Sequence, residues 1–419
     1  MQLRRKKSIA DALAIATCSL LAQTTQNAYA IDEDVDLDLS FLEYHENHRV
    51  RVREMDIGAK WIYDEDNVFS GKLITDAITG STPSGALAPA SKTATLTSPS
   101  GVSGASGTGG GGGLLIRPLE GFVDRRVALG ATWERTYERI YRSNVSAVFS
   151  NEDDYQSYGG SATFAYDLNQ KLTTLEAGIG YSYDFVSSVV GVHKELGNLS
   201  KDKPGDYNDG EKEIFDWGLS ATQIITRRSV VKVGYSSGSV QGYLSDPYKV
   251  ITMVGGAKPT DFTYFHEKRP NARSRSSLNF DFNQEREDND VVNVYYRYYW
   301  DSWGISSHTV DTRYRHELGN TRYIQPHVRV YRQSAANFFT PYLQAKSADL
   351  EAELPNYASA DNRLDAMVSY TVGVKYGLSG SLGTFFARFE MMRQIGSKGD
   401  YRNLTAEILQ FVWTLDFKK

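Results

Sequence analysis

Guanidinium and phenol side chains recur two residues apart along several segments of the chain, a spacing that could do chemistry. One parity carries Arg273, Arg275, Asn279 and Asp281, then Asn293, Tyr295, Arg297 and Tyr299. It continues through Asp311, Arg313, Arg315 and Glu317, and ends on Tyr323, Gln325, His327, Arg329 and Tyr331. On an extended strand a period of two places such groups on one face. A row of guanidiniums along a channel wall selects the sign of a solute passing beside it. Beside Asp281, Asp311 and Glu317 the same row can also satisfy itself as a bracing ion network, as interior charges must. The two readings are compatible, because a paired ladder still presents a net positive stripe.

Other constellations fail on spacing. Ser307, His308 and Asp311 supply the groups of a hydrolytic triad, but His308 shares the parity of Val310 and Tyr314 and so faces away from the other two. Among the seven histidines only His45 and His48 approach metal-ligand spacing, and they read as a solvated loop pair. The five glycines at 109–113 are followed by no lysine, so they are no phosphate loop. Cys18, the single cysteine, falls in the N-terminal leader described below, which removes thiol chemistry and haem attachment from the mature chain. No catalytic residue, metal ligand or cofactor is therefore expected. The phrase Tyr298-Tyr-Trp-Asp-Ser-Trp-Gly304 crowds Tyr298, Trp300 and Trp303 at one end of a strand pair. It reads either as an aromatic girdle at a lipid interface or as an aromatic platform at a mouth.

The elements that must position these groups are strands. Charged residues make up 23% of the 419 residues, yet the chain holds 27 Tyr, 18 Phe and 6 Trp, and its mean hydropathy is −0.43. No apolar run of about 18 residues follows the first thirty positions, so a spanning helix in the mature chain is excluded. The N-terminus runs from Arg4, Arg5, Lys6 and Lys7 through an apolar stretch to Ala28-Tyr29-Ala30, the form of a secretory leader spanning 1–30. Cleavage after Ala30 removes four basic residues and Asp11, which takes the formal charge from −5 to −8. An acidic mature chain lacks the basic stripe that nucleic-acid binding requires.

Alternation of apolar with polar or small residues predicts strands near 36–46, 50–63, 67–78, 124–136, 139–150, 157–168, 171–184 and 214–225. Eight more follow near 229–242, 272–284, 290–300, 305–318, 322–333, 364–377, 383–393 and 404–417. Every even-numbered strand ends in a short turn, while the insertions at 79–123, 185–213, 243–271 and 334–363 fall on the opposite edge. That sorting is the signature of an all-β, transmembrane, antiparallel up-and-down β-barrel of about sixteen strands, a single domain over 31–419 with periplasmic termini. The segment 79–123 is low-complexity and reads as a flexible Gly/Ser/Thr-rich external loop. Strands over 157–242 offer a smooth wall of Gly159, Ser161, Gly218, Ser220, Gly234, Ser236 and Gly238, against which the segment 246–256 is the candidate inward-folded loop. The last strand, with Leu409, Phe411, Trp413, Leu415 and Phe417 on one face, resembles the signal read by the barrel-assembly machinery, although Lys418-Lys419 follow it.

The phrases Asp76-Ala-Ile-Thr-Gly80, Asp124-Arg-Arg126, Asp246-Pro-Tyr-Lys249, Tyr298 to Gly304, Tyr331-Arg-Gln-Ser334 and Tyr357-Ala-Ser-Ala-Asp361 carry a family resemblance. Over essentially the whole mature chain the sequence resembles the bacterial outer-membrane family catalogued as domain of unknown function 3570, departing from it in the extended Gly/Ser/Thr loop. The family has no agreed activity. Its members lie near genes for a flavin transferase that modifies exported proteins and for thioredoxin-like proteins, which implies a link to extracytoplasmic redox chemistry.

Three functions follow as expectations. The first is a porin-like passage for small solutes in the Gram-negative outer membrane, since about sixteen strands enclose a lumen wide enough for water. The second is a non-conducting anchor or scaffold for a periplasmic or surface redox partner. The third, an outer-membrane hydrolase, suffers from the parity of His308. Expected partners are outer-membrane lipid and the assembly machinery, with a homo-oligomer suggested by analogy with other barrels of this size.

Overall fold

The computed structural model describes residues 35–87, 119–188, 191–201, 209–258, 261–286, 289–399 and 402–417. The leader at 1–30 and most of the segment 79–123, including its glycine run, lie outside the described residues.

Nineteen strands are described. The first nine are β1 (Val35–Glu46), β2 (Val50–Ile62), β3 (Asn67–Pro83), β4 (Leu119–Tyr137), β5 (Tyr141–Asn151), β6 (Tyr155–Leu168), β7 (Thr173–Val186), β8 (Gly210–Thr226) and β9 (Ser229–Gly242). Next come β10 (Val250–Val254), β11 (Phe262–His266), β12 (Ala272–Glu285), β13 (Val291–Asp301), β14 (Ser306–Glu317) and β15 (Arg322–Gln333). The series ends with β16 (Leu343–Gln344), β17 (Met367–Gly380), β18 (Gly383–Gly396) and β19 (Asn403–Phe417). Sixteen of them form one closed antiparallel barrel in chain order, sealed where β1 pairs with β19 from Val35↔Phe417 to Glu46↔Ala406. Closure leaves no unpaired strand edge, the condition for crossing a bilayer with strands.

The ladder includes every strand read from the alternation. β3 and β4 run further than the sequence suggests, pairing from Thr79↔Val123 out to Pro83↔Leu119. Polar Thr79, Ser81 and Thr82 look like loop by composition, but their backbones continue the β3–β4 ladder through and beyond Gly80, where the pairing of β3 with β2 ends. Tight turns close one end: Glu138 (φ 49°) and Arg139 (φ 59°) take the left-handed geometry that short hairpins demand. The first and last described residues lie at that same end, since Val35 pairs with Trp61 beside the 63–66 turn as well as with Phe417. By the usual orientation of such barrels the short turns are periplasmic and the opposite end external.

On the outer face, Met55, Ile57, Leu129, Ile179, Leu219 and Val372 are all exposed. An apolar band of that extent is stable only against lipid. Aromatic rings border it: Phe69 lies 5.8 Å from Trp61 and 6.4 Å from Trp133 near the short turns, and Tyr298 stacks on Trp300 at 5.2 Å near the other end.

The remaining three strands, β11-β10-β16, form a small sheet within the long external connections. Its core is Ile251, Met253 and Phe265, at most 1% exposed, with Ala358 and Ala360. This sheet crosses the mouth. Residues 243–271 leave β9, yet Lys249 Nζ donates to Thr82 Oγ1 at 3.2 Å and to Pro83 O at the end of β3, six positions away around a ring of sixteen. Val250 N donates to Ser84 O at 2.8 Å, and Leu87 N donates to Thr252 Oγ1 at 2.9 Å. Lys268 and Ala358 exchange backbone hydrogen bonds of 2.9 Å, which ties in the connection after β15. A packed cap thus spans the external opening, with the segment 246–256 folded across it.

Candidate functional site: the lumen beneath the cap

Strand alternation sends one parity of β12 to β15 inward, and register determines which groups meet. Arg273 donates to Asp301 Oδ2 through Nε at 2.9 Å and stacks 4.4 Å over the Trp303 ring. Arg275 reaches across to Asp216 Oδ2 on β8 at 2.8 Å. Asp281 accepts from Asn283 at 2.9 Å and Asn293 at 2.7 Å, and the Tyr295 hydroxyl donates to Asn279 at 2.8 Å. Arg313 pairs with Asp311 at 3.2 Å and Arg315 with Glu317 at 2.5 Å, the Arg315 guanidinium lying 3.9 Å over the Tyr323 ring. The Tyr331 hydroxyl donates to Gln333 at 2.5 Å.

His327 is buried between two carboxylates, with Nε2 2.9 Å from Asp311 Oδ2 and Nδ1 2.9 Å from Glu390 Oε1 on β18. Both contacts are hydrogen bonds only when both ring nitrogens carry protons, which is the imidazolium. Glycine makes room for this group, since a Cβ at Gly373 would stand 2.4 Å from Glu390 Cγ.

Two guanidiniums of the row behave differently. Arg297 and Arg329 have no carboxylate within ion-pair distance among the described residues, and Arg297 Nε is buried with no hydrogen-bond acceptor. The Arg297 guanidinium carbon lies 5.5 Å from the centre of the Tyr299 ring. Both arginines line a cavity of about 450 Å³ under the cap, together with Lys212 of β8, whose Nζ sits 4.5 Å over the Tyr155 ring. A smaller cavity of about 120 Å³ lies nearer the short turns, beside Glu176, Lys232 and Asp281. Ser236, Ser277 and Arg297 line both, so the Arg297 guanidinium stands at their junction.

The aromatic phrase is split. Tyr298 and Trp300 stand on the outer face, where His308 also lies, 4.9 Å from the Tyr298 ring, while Ser307 and Asp311 are buried on the inner face. Trp303 turns into the cap core at 4% exposure and donates from its indole to Ala272 O at 3.0 Å. The cause is the tight turn after β13: Asp301 Oδ1 accepts from the backbone N–H of Trp303 and of Ile305, both at 2.9 Å, and Gly304 adopts φ 86°. No single platform of Tyr298, Trp300 and Trp303 exists at the mouth.

The roof of the larger cavity is an ion network that links two connections. Arg269 bonds Glu267 at 2.6 Å and Asp361 at 2.8 Å, and Arg363 bonds Asp361 at 2.5 Å and Asp246 at 3.0 Å. With Lys249 the group holds three acids and three bases, a balanced set as burial requires. Burial pushes the Asp361 carboxyl up, but Arg363, Lys249 and Arg269 outweigh it and hold it well below the usual carboxylate range. Burial raises Glu267 and lowers Lys249. Asp216, Glu267, Arg269, Arg363 and Glu390 carry no signal in the sequence reading, and Asp246, Lys249, Asp301 and Asp361 enter it only within the phrases of the family resemblance or the segment 246–256; inward parity flags some, but only register pairs them.

One acidic group remains. Asp124, Glu152 and Asp154 are buried at the external rim and offer oxygens within 4.8 Å of one another, a donor set suited to a hard divalent cation. Burial, reinforced by the neighbouring Asp124 and Asp246 carboxylates, pushes Asp154 up to about 7 against a hydrogen bond of 2.7 Å from the Tyr248 hydroxyl.

A closed sixteen-strand antiparallel barrel with an apolar outer band, aromatic borders and a charged interior is an outer-membrane-type β-barrel. The chain belongs to the family described as "Protein of unknown function (DUF3570)", which matches residues 10–405. No curated protein matches it. Among solved structures it is similar to a mutant ferric enterobactin receptor of Pseudomonas aeruginosa, at 11% identity and TM-score 0.43, over 88% of this chain and 56% of the receptor. This chain thus spans little more than half of that receptor's length. It is also similar to the outer membrane protein opdK of the same organism, at 9% identity and TM-score 0.41, over 92% of this chain and 99% of the other. A third is OccK2 (OpdF) of that organism in complex with glucuronate, at 8% identity and TM-score 0.40, over 94% and 100%.

Proposed function

We propose that this barrel is a porin-like passage for small solutes, whose fixed lumen charge favours anions. The observation that carries the reading is the inner wall itself: Arg313 and Arg315 face inward yet keep 44% and 41% of their side-chain surface accessible. Charged groups so open on an inner face border water, and fixed charge beside water selects ions by sign. In this reading residues 1–30 are a leader removed on export, and the barrel stands in the Gram-negative outer membrane after insertion by the assembly machinery. Reversal potentials in planar bilayers under a salt gradient test it. The wild type is expected to prefer anions, and the combined substitution Arg313→Gln, Arg315→Gln and Arg329→Gln to reduce that preference. Absence of conductance at every voltage overturns the passage.

The cap across the mouth favours a second reading, a non-conducting anchor that holds an exported redox partner at the membrane. Cross-linking in cells followed by identification of attached proteins tests that alternative, and recovery of the barrel alone counts against it.

A further inference from the structure

We infer that the cavity beneath the cap is a built binding site for a small organic oxyanion, a carboxylate or phosphate monoester carrying a planar or apolar body. The inference rests on the passage reading only in naming what would be selected; binding itself requires no conductance.

Charge comes first. Seven cationic and three acidic side chains line the cavity. Arg275 is neutralised by Asp216, Arg273 by Asp301, Arg269 by Glu267 and Asp361, and Arg363 by Asp246 and the same Asp361. Lys212, Arg297 and Arg329 have no carboxylate within ion-pair distance among the described residues. Arg297 stands at the junction of the two cavities, and its Nε is buried without an acceptor. A guanidinium that lines the cavity without a carboxylate partner can take up an incoming oxyanion through charge-assisted hydrogen bonds. The three come from β8, β13 and β15 and converge on one space roofed by the cap, so a ligand between them is held from several sides.

The rest of the wall specifies the body of the ligand. Tyr299 spends its hydroxyl on Asp301 at 2.9 Å and Tyr331 on Gln333, while the Trp303 indole N–H is spent on Ala272 O. With their polar ends engaged, these residues offer the cavity ring surface, which favours planar or apolar groups. A volume of about 450 Å³ falls in the range of small-molecule sites. An inorganic ion would leave the aromatic wall unfilled, and a cation would meet unpaired guanidiniums.

The test uses the folded full-length barrel in detergent micelles, with benzoate and phenyl phosphate as anionic probes and benzamide as the neutral isostere of benzoate, read by calorimetry. The expected result is saturable binding of at least one anion, at least tenfold tighter than benzamide. The double substitution Arg297→Gln and Arg329→Gln should weaken it about tenfold or more, while Arg139→Gln, in a periplasmic turn, leaves it unchanged. Equal binding of benzoate and benzamide, or no saturable anion binding below on the order of 10 mM, overturns the inference. The wild-type comparison decides the matter even if the double variant fails to show the heat-modifiable gel shift of a folded barrel. Anion-selective conductance without probe binding sinks this site and leaves the passage standing. Probe binding by a barrel that never conducts does the reverse.

Discussion

Asp361→Asn should release the cap while leaving the barrel intact. Asp361 is 4% exposed and accepts from Arg269 at 2.8 Å and from Arg363 at 2.5 Å. Neutralising it leaves two acids against three bases in the network and strips Arg269 of one of its two carboxylates. Breaking a buried pair by removing one partner costs about 3–5 kcal/mol. Arg363 keeps 49% of its side chain accessible toward the cavity, so water screens part of the loss and the lower end applies. About 3 kcal/mol raises the opening constant of the cap roughly 100-fold. Hydrogen exchange with mass spectrometry in micelles reads this directly. Peptides over 243–271 and 350–366 should exchange faster by that factor, while β1 and β19, whose ladder touches none of these groups, keep their protection. Unchanged exchange in the cap, or equal acceleration of cap and barrel seam, would refute the network as the cap's fastening.

Three further outcomes are expected. Asp154, raised from 3.8 to about 7, keeps in the folded protein a proton that the unfolded chain has lost; its contribution is complete below pH 3.8 and vanishes as pH rises through about 7. Cap protection factors, with the intrinsic pH dependence of amide exchange divided out, should therefore be larger at pH 5 than at pH 8, and Asp154→Asn should flatten that dependence. Glu390→Gln leaves His327 facing one carboxylate and should lower the urea midpoint; a double-mutant cycle with His327→Gln should show a coupling of about 1 kcal/mol or more. Gly238→Ala would set a Cβ 1.8 Å from Asp216 Oδ1, so it should cost about 1–3 kcal/mol of stability, read by thermal gel shift. It should also detach Asp216 from Arg275, adding a free cation to the cavity and tightening anion binding.

The barrel was legible because lipid imposes one rule on every strand. Alternation along Phe411 and Trp413, or Leu219 and Trp217, reports that rule residue by residue, and the position of the short turns gives the edge. Partners in the lumen were not legible in the same way. Arg275 and Asp216 are joined through the β9–β12 and β8–β9 registers, and His327 and Glu390 through β15–β17 and β17–β18. A slip of one residue in any of these would part them, and no period in the sequence encodes it. The small sheet of β10, β11 and β16 escaped for another reason. Strands of five, five and two residues leave little alternation to read, and the core of β10 and β11 is covered by Leu343 of β16 and by Leu350 and Leu354, all from the connection after β15. Trp303 escaped because parity holds only while the strand does, and the turn at Gly304 ends it.

The phrases that carry the family resemblance share a location as well as an order. Asp76 binds Arg126 at 2.5 Å on β3 and β4, Asp246 and Lys249 join Asp361 and Arg363 in the cap, Asp301 fixes the Trp303 turn, and Gln333 donates to Asp365 O at 2.7 Å. All lie at the external end. A lipid-facing position asks only for an apolar side chain, so Leu219 or Val372 can be exchanged without loss of the fold. A cap built from several connections is held by hydrogen bonds and ion pairs, which demand particular atoms at particular distances. Residue identity is therefore most constrained at the mouth. Arg297 and Arg329 lie outside every one of those phrases, on the wall that the cap covers. The architecture thus separates a closing device, specified by recognisable phrases, from a lumen wall whose charges can vary beneath it. The charge that the cavity presents can change by substitution on β8, β13 and β15 while the cap above stays as it is.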